Sequence, residues 1–161
     1  MKIIDVLNKK GRKYHKIPPN EKFPRILELL VSHGVGSLVV TDVKGVAIGI
    51  VTERSVVEAL VRWETAVFEE VAESIMFAPA PSCRPELDVR AAMHTMTSLR
   101  TRHLVVRDDM DTYGIVSLGD LVKFRLQESE LENVVLRDMA GARRFLAERD
   151  DTIHPRNRDR W

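Results

Sequence analysis

The chain is poor in the residues that most often announce a chemistry. Its single cysteine, Cys83, excludes a disulfide framework and a multi-cysteine zinc site, and fits a reducing compartment such as the cytoplasm. An excess of one charge is also missing. The 25 Lys+Arg against 24 Asp+Glu leave +1 on 161 residues, which argues against a general nucleic-acid binder. No run of 18 apolar residues occurs, so no membrane span is expected. Met1 to Lys10 has no apolar signal-peptide core. The phosphate loop Gly-x-x-x-x-Gly-Lys, the dinucleotide loop Gly-x-Gly-x-x-Gly and the nucleophile elbow Gly-x-Ser-x-Gly are all absent. His15, His33, His94, His103 and His154 lack i,i+4 ligand spacing, so no metal site is expected. What is present is the balance of an ordinary globular chain, 44% apolar and 30% charged. A chain of this size buries roughly 68–70% of its unfolded surface and needs no disulfide to hold it.

The sequence repeats itself. Ser37-Leu38-Val39-Val40-Thr41-Asp42, a turn, and Gly49-Ile50-Val51-Thr52 are followed later by His103-Leu104-Val105-Val106-Arg107-Asp108, a turn, and Gly114-Ile115-Val116-Ser117. The offset is 66 residues from Leu38 to Leu104 and 65 from Gly49 to Gly114, so the second turn is one residue shorter. Each half predicts a short strand near Ile17 or Cys83, a helix, a hairpin and a second helix. In the first half the helix spans 21–33, with Asn20 as N-cap, Pro24 in the first turn and Gly34 at its end. Leu38-Val39-Val40 and Val46 to Val51 are the strands, and Thr52 caps a helix through Arg62. In the second half Asp88 caps a helix bearing Val89, Ala92, Met93 and Met96, and Ser117 opens the last one. One such unit leaves an apolar sheet face uncovered, and two packed sheet to sheet bury both. The fold class is therefore α+β, with repeats at 1–66 and 67–126. A long C-terminal helix is expected to continue over 127–147, either folding back on the core or serving an oligomer contact. The stretch 148–161, with eight charges in fourteen residues, is expected to be a disordered tail.

One stretch can carry ligand chemistry. In Gly114-Ile115-Val116-Ser117-Leu118-Gly119-Asp120 a strand ends where a helix begins, and free N–H groups at a helix start attract anions. Asp120 lies three positions after Ser117, with two acceptor oxygens suited to the vicinal hydroxyls of a ribose. The same Ser-x-x-Asp spacing also reads as a capping pair. The first half has Thr52-Glu53-Arg54-Ser55, with Ser55 where the acid would fall. Bonds to charged groups contribute more than neutral ones, so two such sites would be unequal.

These motifs, "Leu-Val-Val-x-Asp … Gly-Ile-Val-Thr-Glu-Arg-Ser" and "Arg-His-Leu-Val-Val … Gly-Ile-Val-Ser-x-Gly-Asp-Leu-Val", resemble the tandem motifs of the cystathionine-β-synthase (CBS) domain pair, or Bateman module, over about residues 1–126. The resemblance implies two pseudo-twofold-related βαββα units, often dimerised into a disc, that bind AMP, ADP, ATP, NAD(H) or S-adenosylmethionine between them. The family's Gly-h-x-(Thr/Ser)-x-x-Asp falls intact on Gly114, Ile115, Ser117 and Asp120. In the first unit it falls on Gly49, Ile50 and Thr52, with Ser55 departing from the acid. The resemblance further implies phosphate contacts from Arg102 and His103. Arg54 is a further phosphate candidate. Ala80 and Ser82, in the Pro-rich segment before the short strand of the second unit, would wall the base pocket.

Two expectations of function follow. The first is a stand-alone, non-enzymatic nucleotide-sensing module, cytoplasmic and homodimeric, whose packing changes on ligand binding and alters an unidentified regulated partner. No residues remain for an attached catalytic or membrane domain. The second is a dimerising adaptor that has lost its ligand. A nucleotide-converting enzyme would need a base and a nucleophile that the sequence does not offer.

Overall fold

A computed structural model describes residues 1–131 apart from Met110. The C-terminal helix and tail expected beyond residue 131 lie outside the described residues. The chain divides into two bodies, Met1–Leu121 and Val122–Trp161. Of the second, residues 122–131 are described; they are helical, with Arg125 paired to Glu128.

The first body contains α1 (Ile3–Lys10), β1 (Lys16–Ile17), α2 (Phe23–His33), β2 (Ser37–Thr41), β3 (Ala47–Thr52) and α3 (Glu53–Trp63). A 3-10 turn (Glu64–Glu69) leads to α4 (Ala72–Ile75), β4 (Ser82–Cys83), α5 (Val89–Ser98), β5 (His103–Arg107) and β6 (Thr112–Ser117). A further helix, α6, starts at residue 118. There are two three-stranded sheets, ordered β1-β2-β3 and β4-β5-β6. In each, a parallel edge pair joins an antiparallel hairpin. The registers repeat: Val39 faces Ile50 as Val105 faces Ile115, and Val40 faces Gly49 as Val106 faces Gly114. Each hairpin also breaks register at the same place, after Val40 and after Val106.

Alternation along the strands divides the core, because successive side chains point to opposite faces. Leu38, Val40 and Val51 pack with Phe23, Ile26 and Leu30 of α2 and with Val56 and Ala59 of α3. Val39 and Ile50 face the other way and meet Val105, with Ile115, Ala80 and Tyr14 against them. This is the sheet-to-sheet layer that the repeat calls for. At its end the Arg107 guanidinium donates to the Ala47 carbonyl (3.0 Å), and the Ala47 N–H reaches Thr112 Oγ1 (3.4 Å).

The local signals are recovered where short-range chemistry decides. Gly34 ends α2 in a left-handed conformation, Pro24 sits in the first turn, Thr52 caps α3 and Asp88 caps α5. The start of α2 differs from expectation. It begins at Phe23 rather than 21, and Lys22 instead of Asn20 holds the N-cap position, with no side-chain cap bond. The cause is that residues 21–23 are paired elsewhere. The Phe23 N–H donates to Glu70, the Ala72 N–H to Glu21, and Lys22 bridges Val71.

That pairing is one half of an exchange the sequence did not reveal. Each repeat opens with a helix, α1 or α4, that packs away from its own sheet. Helix α1 buries Ile3, Val6 and Leu7 at i, i+3, i+4 and lies against β6. It is pinned by Ile3 N–H to Leu87 (2.9 Å), Ile4 N–H to Pro85 (2.9 Å) and Val89 N–H to Met1 (3.0 Å). Helix α4 lies against β3 and α3, pinned by Ala72 to Glu21, Glu73 to Pro19 and Phe23 to Glu70 in the same pattern. The two halves are therefore successive along the chain but interlaced in space.

The close approach is made at one glycine per sheet. A Cβ on Gly49 would collide with Met76 Sδ and fall 3.2 Å from Met76 Cβ. One on Gly114 would fall 3.2 Å from Leu7 Cδ2, and Gly114 also has φ +154, which L side chains rarely adopt. Gly49→Ala is expected to destabilise by about 1–3 kcal/mol through overpacking. Adding Met76→Ala should return part of that loss, read by urea unfolding of the four proteins of the double-mutant cycle. Strict additivity of the two changes would disprove the contact.

Candidate functional site

Both hairpins end in the same construction. In the first half the Thr52 N–H donates to Ser55 Oγ (2.8 Å), the Ser55 N–H to Thr52 Oγ1 (3.2 Å), and the Ser55 hydroxyl to the Thr52 carbonyl (2.9 Å). In the second, the Ser117 N–H and hydroxyl both donate to Asp120 Oδ2 (2.8 Å each), and the Asp120 N–H donates to Ser117 Oγ (3.1 Å). The capping reading of Ser-x-x-Asp is thus realised, since each box satisfies donors a helix start leaves open.

The two boxes differ in what surrounds them. Ser55 is 3% exposed, and the chain leaving α4 covers that end of β3. Phe77 exchanges both backbone bonds with Ile50, its N–H to the Ile50 carbonyl at 2.9 Å and the reverse at 3.1 Å. At the equivalent strand position of the second half the Ile115 carbonyl accepts instead from the Lys10 ammonium (3.1 Å). The reason is length. Helix α4 has four residues and stops, whereas α1 has eight and runs on to Lys10. The same ammonium also pairs with Asp120 Oδ2. The Asp120 side chain remains 25% exposed and that of Lys10 31%. Burial works to raise the Asp120 pKa, but the Lys10 ammonium and the two Ser117 donors outweigh it and hold the carboxyl below its usual range. Asp120 is therefore a carboxylate at neutral pH.

Charged groups from both repeats converge here. His103, first residue of β5, is half-buried and feels the charges of Lys10, Asp120, Glu53 and Arg102. Glu53, at the start of α3, and His103 meet over Gly36: both lie 3.6 Å from where its Cβ would be. The Glu53 N–H donates to the Gly36 carbonyl (3.2 Å), as the Leu118 N–H donates to that of Arg102 (2.8 Å). The second unit's helix mouth thus has the first unit's as a neighbour.

The remaining sequence-derived residues fall into place around this. Gly114 is buried in β6, and Ile115 and Ser117 are partly exposed at its end. Arg102 is exposed beside His103. Ala80 is buried in the layer between the sheets with Val105 and Ile115, while Ser82, on β4, is exposed. Thr52 is buried in its own cap. Arg54, the further phosphate candidate, lies in the first turn of α3. Its guanidinium is exposed and paired with Glu58 one turn along α3 (2.7 Å). Sequence reasoning missed Lys10 and Glu53. The signal for Lys10 was present in Ile3, Val6 and Leu7, spaced as one helix face and followed by Lys9-Lys10.

Cys83 is buried, and burial pushes its thiol up to about 11, far from a thiolate nucleophile at neutral pH. Among the described residues no group of three or more His, Cys, Asp or Glu side chains is placed to hold a metal ion, and no helix is long and apolar enough to cross a membrane.

Burial, with Lys10 second, holds the His103 pKa below its usual value. The unfolded chain then takes up the proton first, near 6.5, so the stability from neutral His103 is complete above that pH and drains away as pH falls below it. His15, stacked 3.9 Å from His33, is shifted the same way. Melting temperature is expected to fall between pH 7.5 and 5.5, and His103→Gln should flatten, not abolish, that slope. An unchanged slope in the variant would show that His103 is not held neutral.

The arrangement has counterparts among known proteins. The CBS domain profile matches residues 5–62 and again 71–127. A CBS-domain-containing protein of Agrobacterium tumefaciens, ATU1752, is 32% identical, with TM-score 0.73 over 77% of this chain and 92% of that one. The CBS domain protein PAE2072 of Pyrobaculum aerophilum, solved with AMP, shares the fold at 20% identity, with TM-score 0.65 over 74% of this chain and 89% of that one. The CBS domain pair of protein MJ0100, solved with 5′-methylthioadenosine and S-adenosylmethionine, does so at 19% identity, with TM-score 0.69 over 80% and 98%. Among curated relatives the chain spans 44–66% of their length, as with 54% of MK0525 of Methanopyrus kandleri at 31% identity. With two profile matches covering most of its length and the interlocked pair of sheets that goes with them, the chain belongs to the CBS domain family as a tandem pair.

Proposed function

We propose that this CBS pair is a regulatory module that binds an adenine nucleotide at the second unit's helix mouth. The observation that carries this reading is the unequal pair of caps: Asp120 stays ionised and partly exposed where Ser55 is buried. In the proposed complex Asp120 accepts the ribose hydroxyls. Ser117 and the start of α6 face the ribose and phosphate, with Arg102 and His103 beside them and Ala80 and Ser82 on the base side. AMP, 5′-methylthioadenosine and S-adenosylmethionine in structural neighbours support an adenosine-based ligand. ADP, ATP and NAD(H) present the same ribose and belong in the same test. Thr52 and Ser55 are not expected to form an equal second site. The module acts without catalysis, as a homodimer in the cytoplasm, by changing how units or protomers pack and so the face offered to a regulated partner.

The test is a thermal-shift panel of AMP, ADP, ATP, NAD, 5′-methylthioadenosine and S-adenosylmethionine. A ligand at 100 times its Kd stabilises by about 2.7 kcal/mol, or very roughly 5–10 °C on a chain of this size. No shift from any of them at millimolar concentration would favour the other reading, a dimerising adaptor that no longer binds a nucleotide. The Lys10–Asp120 ion pair, which neutralises the carboxylate internally, is the observation on that side.

A further inference from the structure

Resting on the nucleotide reading, we infer that Lys10 makes the Asp120 site favour a phosphate: it disfavours neutral nucleosides, 5′-methylthioadenosine among them, by neutralising the ribose carboxylate, and favours nucleotides by moving to their phosphate. The ammonium holds Asp120 Oδ2 and the Ile115 carbonyl, two acceptors at the mouth where the sugar would sit. A ribose hydroxyl is a neutral donor. Oδ2 already accepts from Lys10 and from both Ser117 donors, so the hydroxyl meets a carboxylate whose charge the ammonium has largely neutralised, and drawing the ammonium away would leave it without its anion. A nucleoside offers nothing in return. A nucleotide brings an anion of its own, so the ammonium exchanges one anionic partner for another and the carboxylate, still capped by Ser117, offers its full charge to the sugar.

Three features fit this role. Lys10 sits at the end of a long flexible stem, 31% exposed, on the last turn of a helix, so it can swing without unfolding α1. The turn that delivers it has no equivalent on α4, where the matching Ile50 carbonyl is closed by the backbone of Phe77. The gate therefore exists only in the half that kept its acid. Arg102, exposed beside His103, adds a second cation for the phosphate, while Glu53 opposes excess negative charge. Lys10 is thus a specificity residue that reads phosphate against its absence.

Calorimetry with AMP and adenosine on the full chain, its Lys10→Met variant, which keeps most of the alkyl stem, and its Lys10→Arg variant tests this. The wild type should prefer AMP, and Lys10→Met should shrink that preference by at least about tenfold, through weaker AMP and equal or tighter adenosine binding. Lys10→Arg should retain the preference. Melting of the free proteins reports any loss of fold separately. If the wild type binds both compounds and Lys10→Met leaves their affinity ratio unchanged, Lys10 is only a structural partner of Asp120 and the inference falls while the nucleotide reading stands. If the wild type binds neither these two nor any other compound of the thermal-shift panel, the nucleotide reading falls and takes this inference with it.

Discussion

Leu7→Ala should cost about 2–5 kcal/mol, the range for truncating a fully buried leucine. On a chain of this length that lowers the melting temperature by roughly 5–20 °C. Leu7 is 0% exposed and fills the space that Gly114 leaves by having no side chain. The truncation therefore opens a hole between α1 and β6 that neither can close without moving the backbone pins at Leu87 and Pro85. Val31→Ala is the matched control. Val31 is 83% exposed, and its truncation should stay within about 0.5 kcal/mol. A Leu7 variant as stable as the control would mean that α1 does not cover the second sheet in solution.

Asp120→Asn should lower AMP affinity by at least about tenfold, because the amide loses the charge that strengthens bonds to ribose hydroxyls. The free protein should melt within a few degrees of the wild type. Asparagine retains an acceptor for the Ser117 N–H, and even a complete cap deletion costs only about 0.5–2 kcal/mol. The separation matters because Asp120 is at once a cap, an ion-pair partner and the proposed sugar ligand. Loss of affinity with stability kept would assign the third role. Loss of stability with affinity kept would leave only the first two, and the site would have to be sought elsewhere.

The parts legible in the sequence are those in which cause and effect lie within a few residues. Thr52, Gly34 and Asp88 cap their helices because a cap is a contract between neighbours. The registers repeat because Leu38-Val39-Val40 and Leu104-Val105-Val106 carry the same alternation. Ser117 and Asp120 stand together for the same reason. The exchange of α1 and α4 was not legible. Ile3, Val6 and Leu7 advertise a buried face but not which sheet buries it, and Leu87 lies 84 residues from Ile3 (87 − 3). Lys10 was hidden with it, since nothing local says that a lysine at residue 10 will find an acid at residue 120. Arg54 meets Glu58, one turn away on its own helix, a pairing that the i,i+4 spacing already offered.

The interlacing of the leading helices also constrains how such a protein can be recombined. A chimera that grafts residues 67–126 from a relative would bring a donor sheet whose cover, α1, is still the recipient's, and would cover the sheet that stayed behind with the donor's α4. Both seams would then be mismatched at the Gly49–Met76 and Gly114–Leu7 contacts. A transplant that respects the physics must carry each sheet with the helix from the opposite repeat, so the natural unit of exchange is a discontinuous set of segments and not a stretch of gene.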